Sequence, residues 1–395
     1  MDASANAVVQ VAASIAEIEA AQWDACANPD PSVMNPFVSH AFLKALEDAG
    51  TVTPRTGWMP RHLALQDADG AVAAVMPCYL KGHSRGEYVF DQGWAEAYEQ
   101  AGGDYYPKLL CAVPFTPVPG PRLLAGSGPG REDRARTIAT AAVQLAQQLN
   151  VSSLHVNFLT EAEWQMLAPA GFLQRTDQQF HWRNAGYATF DDFLADLASR
   201  KRKAVRKERL EALSNGLTIE LITGSDITEA HWDAFFAFYQ ETGSRKWGRP
   251  YLNRKFFSLL GDAMADRCLL IMARRGDRYV AGALNMIGGD CLYGRYWGAI
   301  EHHPYLHFEI CYYQAIDFAI AHGLARVEAG AQGDHKLARG YMPTPTYSSH
   351  WIADRNFRRA VARYLDGERR HVAESVELLA GYGPFRKTAA EDEAI

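Results

Sequence analysis

Glu328 lies in a short strand-like run, Arg326 to Gly330 (RVEAG), and a polar loop bearing Gln332, His335, Lys336 and Arg339 follows at once. Alternation along a strand sets Glu328 on the same face as Arg326 and Gly330. A carboxylate in a buried run is costly unless it is paired. It therefore acts either as a proton acceptor or as one arm of a salt bridge to Arg326, Lys336 or Arg339. His335 is a second proton acceptor, since an unperturbed imidazole titrates at about pH 6.5. Polar residues that follow a strand tend to line a site, which brings in Gln332, Lys336 and Arg339 as contacts to a bound molecule.

His307 and Glu309 begin the segment Leu306 to His322, whose apolar residues recur at helical spacing. They are further candidates for proton transfer, although a glutamate in a first helical turn is also an ordinary partner for the helix dipole. His302, His303 and His307 cluster in sequence, but with no Cys or carboxylate at ligand spacing a metal site is not expected. No G-x-S-x-G elbow or Cys/His nucleophile signature occurs, which disfavours a covalent intermediate on the protein.

Charge is concentrated in Ser199 to Arg209 (SRKRKAVRKER), with seven basic residues and one acid. Subtracting its +6 from the formal net charge of -6 leaves -12 for the remainder. Helical wrapping spreads Arg202, Arg206 and Arg209 along one side and Lys203 and Lys207 along another. A solvated helix surface and a phosphate clamp through Arg202, Lys203 and Arg206 are both open readings. A second basic segment, Arg355 to His371, places Phe357, Val361, Tyr364 and Leu365 at helical spacing, as an amphipathic helix packed on its own core or resting on an anionic membrane surface would.

The elements that must position these groups repeat. His62 to Gln66, the turn DADG and Ala71 to Leu80 read as a β-hairpin; Cys268 to Ala273, RRGDR and Tyr279 to Ile287 read as another. After the first come a strand (Lys108 to Phe115), a Pro/Gly-rich loop, a helix (Glu132 to Leu149) and a strand (Ser153 to Phe158). After the second come a strand (Cys291 to Ala299), the loop HHPY, a helix (Leu306 to His322) and a strand (Arg326 to Gly330). The order hairpin, strand, helix, strand therefore occurs twice. Residues 82–106, rich in Gly and aromatics, are an insertion in the first half, as a structured loop over a cleft would be. The expected domains are 1–186 and 187–395.

With 395 residues, 48% hydrophobic and 22% charged, two ordinary domains can each bury a core. An acidic net charge excludes general nucleic-acid affinity, so any polyanion site is local. The N-terminus lacks a basic n-region with an apolar core, and no run reaches the ~18 to 20 apolar residues that span a bilayer, so a soluble cytoplasmic protein, peripheral at most, is expected. Cys26, Cys78, Cys111, Cys268, Cys291 and Cys311 are scattered without a CxxC pair and read as reduced core residues.

Several segments add a resemblance. NPFVSHAFLKALEDAG (from Asn35), PKLLCAVPFTPVPGPRLL (from Pro107), RKWGRPYL (from Arg245), LYGRYWGA (from Leu292), LHFEICYYQAIDFAI (from Leu306) and EAGAQGDHKLARGY (from Glu328) resemble the FemAB-like, tandem GNAT predicted N-acyltransferases, over residues 30 to 380. The resemblance implies an α/β (α+β) fold of two GNAT-like domains in tandem, each a mostly antiparallel sheet flanked by helices. It further implies transfer of an acyl group from acyl-CoA, a co-substrate rather than a bound cofactor, to an amine. Family members are labelled as peptidoglycan biosynthesis or recognition proteins, and one branch is associated with acylation of long-chain amino alcohols to ceramide-like lipids.

In that reaction a base takes a proton from the amine and a donor polarises the thioester carbonyl. Glu328 is the first base expected, His335 the second, with Glu309 and His307 next. Arg295, Tyr296 and Trp297 join Gln332, Lys336 and Arg339 around the substrates, the aromatics suiting a long acyl chain or apolar acceptor. The second domain is expected to build most of the cleft. Two other readings stay open: a Fem-type ligase drawing on aminoacyl-tRNA, for which the basic helix would contact tRNA, and a non-catalytic module binding lipids or cell-wall precursors. The sequence departs from the acetyltransferase pyrophosphate motif R/Q-x-x-G-x-G/A. Its nearest copy, Arg122 to Gly128, has one residue too many, and HHPY in the second half has no glycine.

Overall fold

The structure is a computed structural model that describes residues 8–214, 216–247, 250–330 and 333–386, with the side chains of 244–247 and 334 outside that description. Its strands are β1 (Val8–Ala12), β2 (Trp58–Pro60), β3 (His62–Gln66), β4 (Val72–Met76), β5 (Cys78–Lys81), β6 (Lys108–Cys111), β7 (Ser153–Leu159), β8 (Leu173–Arg183), β9 (Leu217–Thr223), β10 (Cys268–Arg275), β11 (Arg278–Ile287), β12 (Cys291–Ala299), β13 (Arg326–Glu328) and β14 (Met342–Ile352). Two compact units form: Met1–Asp177 with Pro345–Ala373, and Gln178–Thr344 with Glu374–Ile395. The division at 186/187 expected from sequence therefore misplaces 345–373. Residues 347–352 of β14 pair with β7, a long-range register that no local pattern announces.

In the first unit β2, β5, β6, β7 and β14 lie side by side, with β6 and β7 parallel. The sequence reads 71–80 as one strand, but Pro77 splits it, since proline cannot donate to a ladder. β4 consequently joins β1 and β3 in a separate three-stranded sheet, and β5 pairs with β2 and β6. Helix Arg131–Gln148 covers the sheet through Ile138, Ala142 and Leu145 against Leu109, Leu154 and Val156. Helix Arg355–Gly381 buries Val361 and Leu365 with Trp94 and Tyr105 from the insertion, whereas Tyr364 is 56% exposed.

In the second unit the order is β8, β13, β12, β11, β10, β9, with β12 and β13 the parallel pair. Strand, helix and parallel strand thus occur in both units, as the duplicated pattern implies. Each unit is GNAT-like, a mostly antiparallel sheet flanked by helices. Among the described residues β12 meets β13 through Cys291–Tyr293 against Arg326–Glu328, and 294–299 run on without that neighbour. Leu284 faces Tyr296 while Asn285 faces Gly294, so Arg295 is an extra, bulged residue at this divergence. Helix Glu229–Trp247 packs so closely on β12 that a Cβ at Gly298 would lie 2.0 Å from the Phe238 carbonyl oxygen. All six cysteines are free, five of them buried, and among the described residues no helix is long and apolar enough to cross a membrane.

Candidate functional site

A cavity of about 590 Å³ opens in the second unit beside the end of β12 that extends past its pairing with β13. Trp297 and Ala299 of β12, loop residues Ile300 to His303 and Tyr305, helical residues Leu306, His307 and Phe308, and Glu241 and Thr242 of the helix Glu229–Trp247 line it. Helix 306–321 contains a π-turn at Glu309–Tyr313, a widening that often marks functional positions. His307 packs 5.2 Å from Trp297, 5.4 Å from Tyr312 and 6.0 Å from His335, by ring centroids. His335 is exposed, and its Nε2 lies 2.9 Å from the Tyr312 hydroxyl. Burial pushes that phenol well above its ordinary range, so it stays protonated. The histidines expected from sequence are thus brought together, with Tyr312 and Phe308 as partners that helical spacing alone did not single out.

An ionic frame holds this wall. Arg339 donates to both oxygens of Glu208 at 2.8 and 2.9 Å and to the His335 carbonyl at 2.6 Å, and its guanidinium lies 3.4 Å from the Phe308 ring centroid. Arg209 donates to Glu309 at 2.9 Å and pairs with Asp317 at 2.7 Å, while Gln314 donates to Glu309 at 2.7 Å. Glu309 is fully buried among these donors and fits a structural ion pair better than proton transfer. Lys336 is buried too. Its ammonium donates to the carbonyls of Ala329 and Gly330 at 2.7 and 2.9 Å, fixing the turn after β13, and burial holds its pKa down to about 8.

Glu328 occupies the other face. Val327, its neighbour, lies in the core with Leu306, Tyr312 and Leu337, and alternation turns the Glu328 carboxylate away from them. Arg326 Nε donates to Oε1 at 3.2 Å, the salt bridge that sequence left open, and Arg326 also pairs with Asp290. Glu328 Oε2 accepts no hydrogen bond among the described residues and lies 4.0 Å from His181 Nε2. Burial holds the His181 imidazole below its ordinary pKa, against the pull of Glu328. His335 meets Tyr312, His307 and Phe308, whereas Glu328 meets Arg326 and His181, an imidazole on which Lys336 also acts.

Other candidates lie apart from the cavity. Tyr296 packs 5.1 Å from Tyr239, on the opposite side of β12 from Trp297, and the Arg295 guanidinium rests 5.3 Å from the Tyr296 ring. Lys203 and Arg206 are exposed and Arg202 half-buried on helix Ser199–Ala212. Arg206 pairs with Asp191 at 3.0 Å, and none of the three lines the cavity among the described residues. Gln332 lies outside the described residues. In the first unit Arg122 is fully buried, donating to the carbonyls of Val118, Gly120, Pro121 and Asn157, and so closes a loop rather than cradling phosphate.

The family model described as FemAB-like, peptidoglycan biosynthesis/recognition, matches residues 14–387. The chain belongs to the FemAB-like family. No curated protein matches the sequence. Among solved structures FemX is similar at a TM-score of 0.56 and 13% identity, covering 87% of this chain and 98% of that one. L-PGS from Bacillus licheniformis is similar at 0.50 and 9% identity, over 84% and 98%. The C-terminal domain of a putative lysylphosphatidylglycerol synthetase from Agrobacterium fabrum is similar at 0.52 and 9% identity, over 88% and 96%. At these identities the likeness of this FemAB-like chain to them is one of fold.

Proposed function

We propose that this FemAB-like protein is an N-acyltransferase that moves an acyl group from acyl-CoA to a primary amine. The observation that carries the reading is the cavity between the end of β12, the loop and helix that follow it and helix Glu229–Trp247, with Trp297, His307 and Phe308 in its wall and His335 beside them. Trp297, Tyr305, Leu306 and Phe308 give the cavity an apolar side that suits an acyl chain or the tail of an amino alcohol, while Glu241, Glu301 and the histidines make the rest polar. The amine attacks the thioester carbonyl, its proton passes to a base, and the thiolate leaves as free CoA once protonated. His335 is the base this geometry favours: in the tautomer whose Nε2–H donates to the Tyr312 oxygen, Nδ1 keeps the lone pair that takes the proton. His307 and Arg339 shape the wall, and Glu328 orders the base of the strand pair through Arg326.

The exposed basic face of helix Ser199–Ala212 favours a second reading, in which the donor is an aminoacyl-tRNA and the acceptor a peptidoglycan precursor. The exposed arginines Arg355, Arg359, Arg363 and Arg370 favour peripheral contact with an anionic membrane if the acceptor is a lipid. Purified protein incubated with a panel of acyl-CoAs and amines, with free thiol followed, separates these readings. Thiol release that needs both substrates supports the first. Turnover that ignores CoA esters but requires charged tRNA supports the second. No turnover with any donor leaves a binding protein.

A further inference from the structure

Lys81 and Lys108 stand directly opposite each other on the antiparallel strands β5 and β6 of the first unit, and both are fully buried. Like charges so placed repel, and withdrawing each from water is costly. An apolar pair would serve the sheet better.

The insertion supplies counter-charges. Lys108 Nζ donates to Ser84 Oγ and Glu87 Oε2, both at 2.8 Å, and to Asp91 Oδ2, which uses all three of its protons. The Tyr105 hydroxyl donates to the same Asp91 oxygen at 2.7 Å. Lys81 Nζ lies 3.6 Å from the Trp58 ring centroid and 3.8 Å from Glu87 Oε1. Beyond Tyr105, His155 and His350 meet Nδ1 to Nδ1 at 2.6 Å, and burial holds both imidazoles well below their ordinary pKa.

Two acceptors are left over. Asp91 and Glu87 are only 2% and 3% exposed, yet Asp91 Oδ1 and Glu87 Oε1 accept no hydrogen bond among the described residues. A buried carboxylate oxygen without a donor is expensive, and two of them carried by one segment point to a molecule that brings the donors.

We propose that this cluster is a ligand site of the first unit for a primary ammonium group, whose N–H donors reach Asp91 Oδ1 and Glu87 Oε1. Small amines and amino alcohols are the class of ligand. Burial brings the pKa values of Lys81 and Glu87 each to about 7, so loss of one proton from the cluster lets the interior accept an ammonium without added net charge. The inference stands apart from the transferase reading, because its test measures binding alone.

The test titrates the full-length protein with ethanolamine at about pH 7.5, with choline and N-acetylethanolamine as controls. Choline keeps the charge but has no N–H donor, and N-acetylethanolamine keeps an N–H but loses the charge. Ethanolamine should bind saturably, both controls at least about tenfold more weakly, and Glu87→Gln and Asp91→Asn should weaken ethanolamine by at least about tenfold. The control ligands need only the unaltered protein, so a variant that misfolds does not leave the question open. Absence of saturable binding, which would mean waters alone fill the site, overturns the proposal. So does choline bound as tightly as ethanolamine, or folded variants that bind like the parent.

Discussion

His335 and Tyr312 meet through a hydrogen bond of 2.9 Å between imidazole Nε2 and phenol oxygen, at the edge of the aromatic cavity. The pair sets which ring nitrogen carries the exchangeable proton. Tyr312→Phe should keep the fold and lower kcat by about tenfold or more, in the range expected when a general base loses its orientation. The KM for acyl-CoA should change little. A pH-rate profile whose acidic limb does not move in the variant would separate Tyr312 from the base.

Arg339 combines a two-pronged grip on Glu208 with stacking over Phe308, and lysine offers neither the fork nor the plane. Arg339→Lys is expected to lower stability by about 1–3 kcal/mol, the size of losing hydrogen bonds to a charged group. Urea unfolding measures this, and a midpoint equal to the parent's contradicts it.

Gly298 lets helix Glu229–Trp247 lie on β12, and a methyl group there would meet the Phe238 backbone. Gly298→Ala should cost about 1–3 kcal/mol through overpacking. It should also raise KM more than it lowers kcat, because Trp297 and Glu241 approach the cavity from the two elements being forced apart. Steady-state kinetics beside a thermal melt checks both.

Lys81 gives a pH signature. Burial brings its folded-state pKa down to about 7, whereas in the unfolded chain it titrates at about 10.4. Between those values the unfolded state holds more protons, so stability rises with pH across that window. Lys81→Met should remove part of the rise seen between urea melts at about pH 7 and about pH 9.5. Lys336, held to about 8, still supplies the rest. Equal slopes in parent and variant would mean that Lys81 titrates normally.

Local pattern carried the elements that alternate or wrap. The strand of Glu328 and the helix at 306 follow from periods of 2 and 3.6, whereas only the structure singles out Arg326 from the three basic partners open to Glu328. Tyr312 was hidden because the π-turn at Glu309–Tyr313 shifts the helical phase, so spacing counted at 3.6 residues puts it on the wrong side. The Lys81 and Lys108 pair depends on the register of two strands separated by the whole insertion, which no local window contains. The return of 345–373 to the first unit has the same cause, a ladder between β7 and β14 far apart in the chain. Contacts also decide roles. Glu328 and His335 sit near one another in sequence, yet their contacts differ: Glu328 meets Arg326 and His181, and His335 meets Tyr312 and His307.

Transfer at the aromatic cavity with His335 as base stands or falls on kcat for thiol release in His335→Ala and Glu328→Gln measured side by side. A loss of about 100-fold or more is expected in His335→Ala, the scale of general base catalysis, and a much smaller loss in a folded Glu328→Gln. Near-parent turnover in His335→Ala with a collapse in Glu328→Gln would contradict it and move the chemistry to the opposite face of β13.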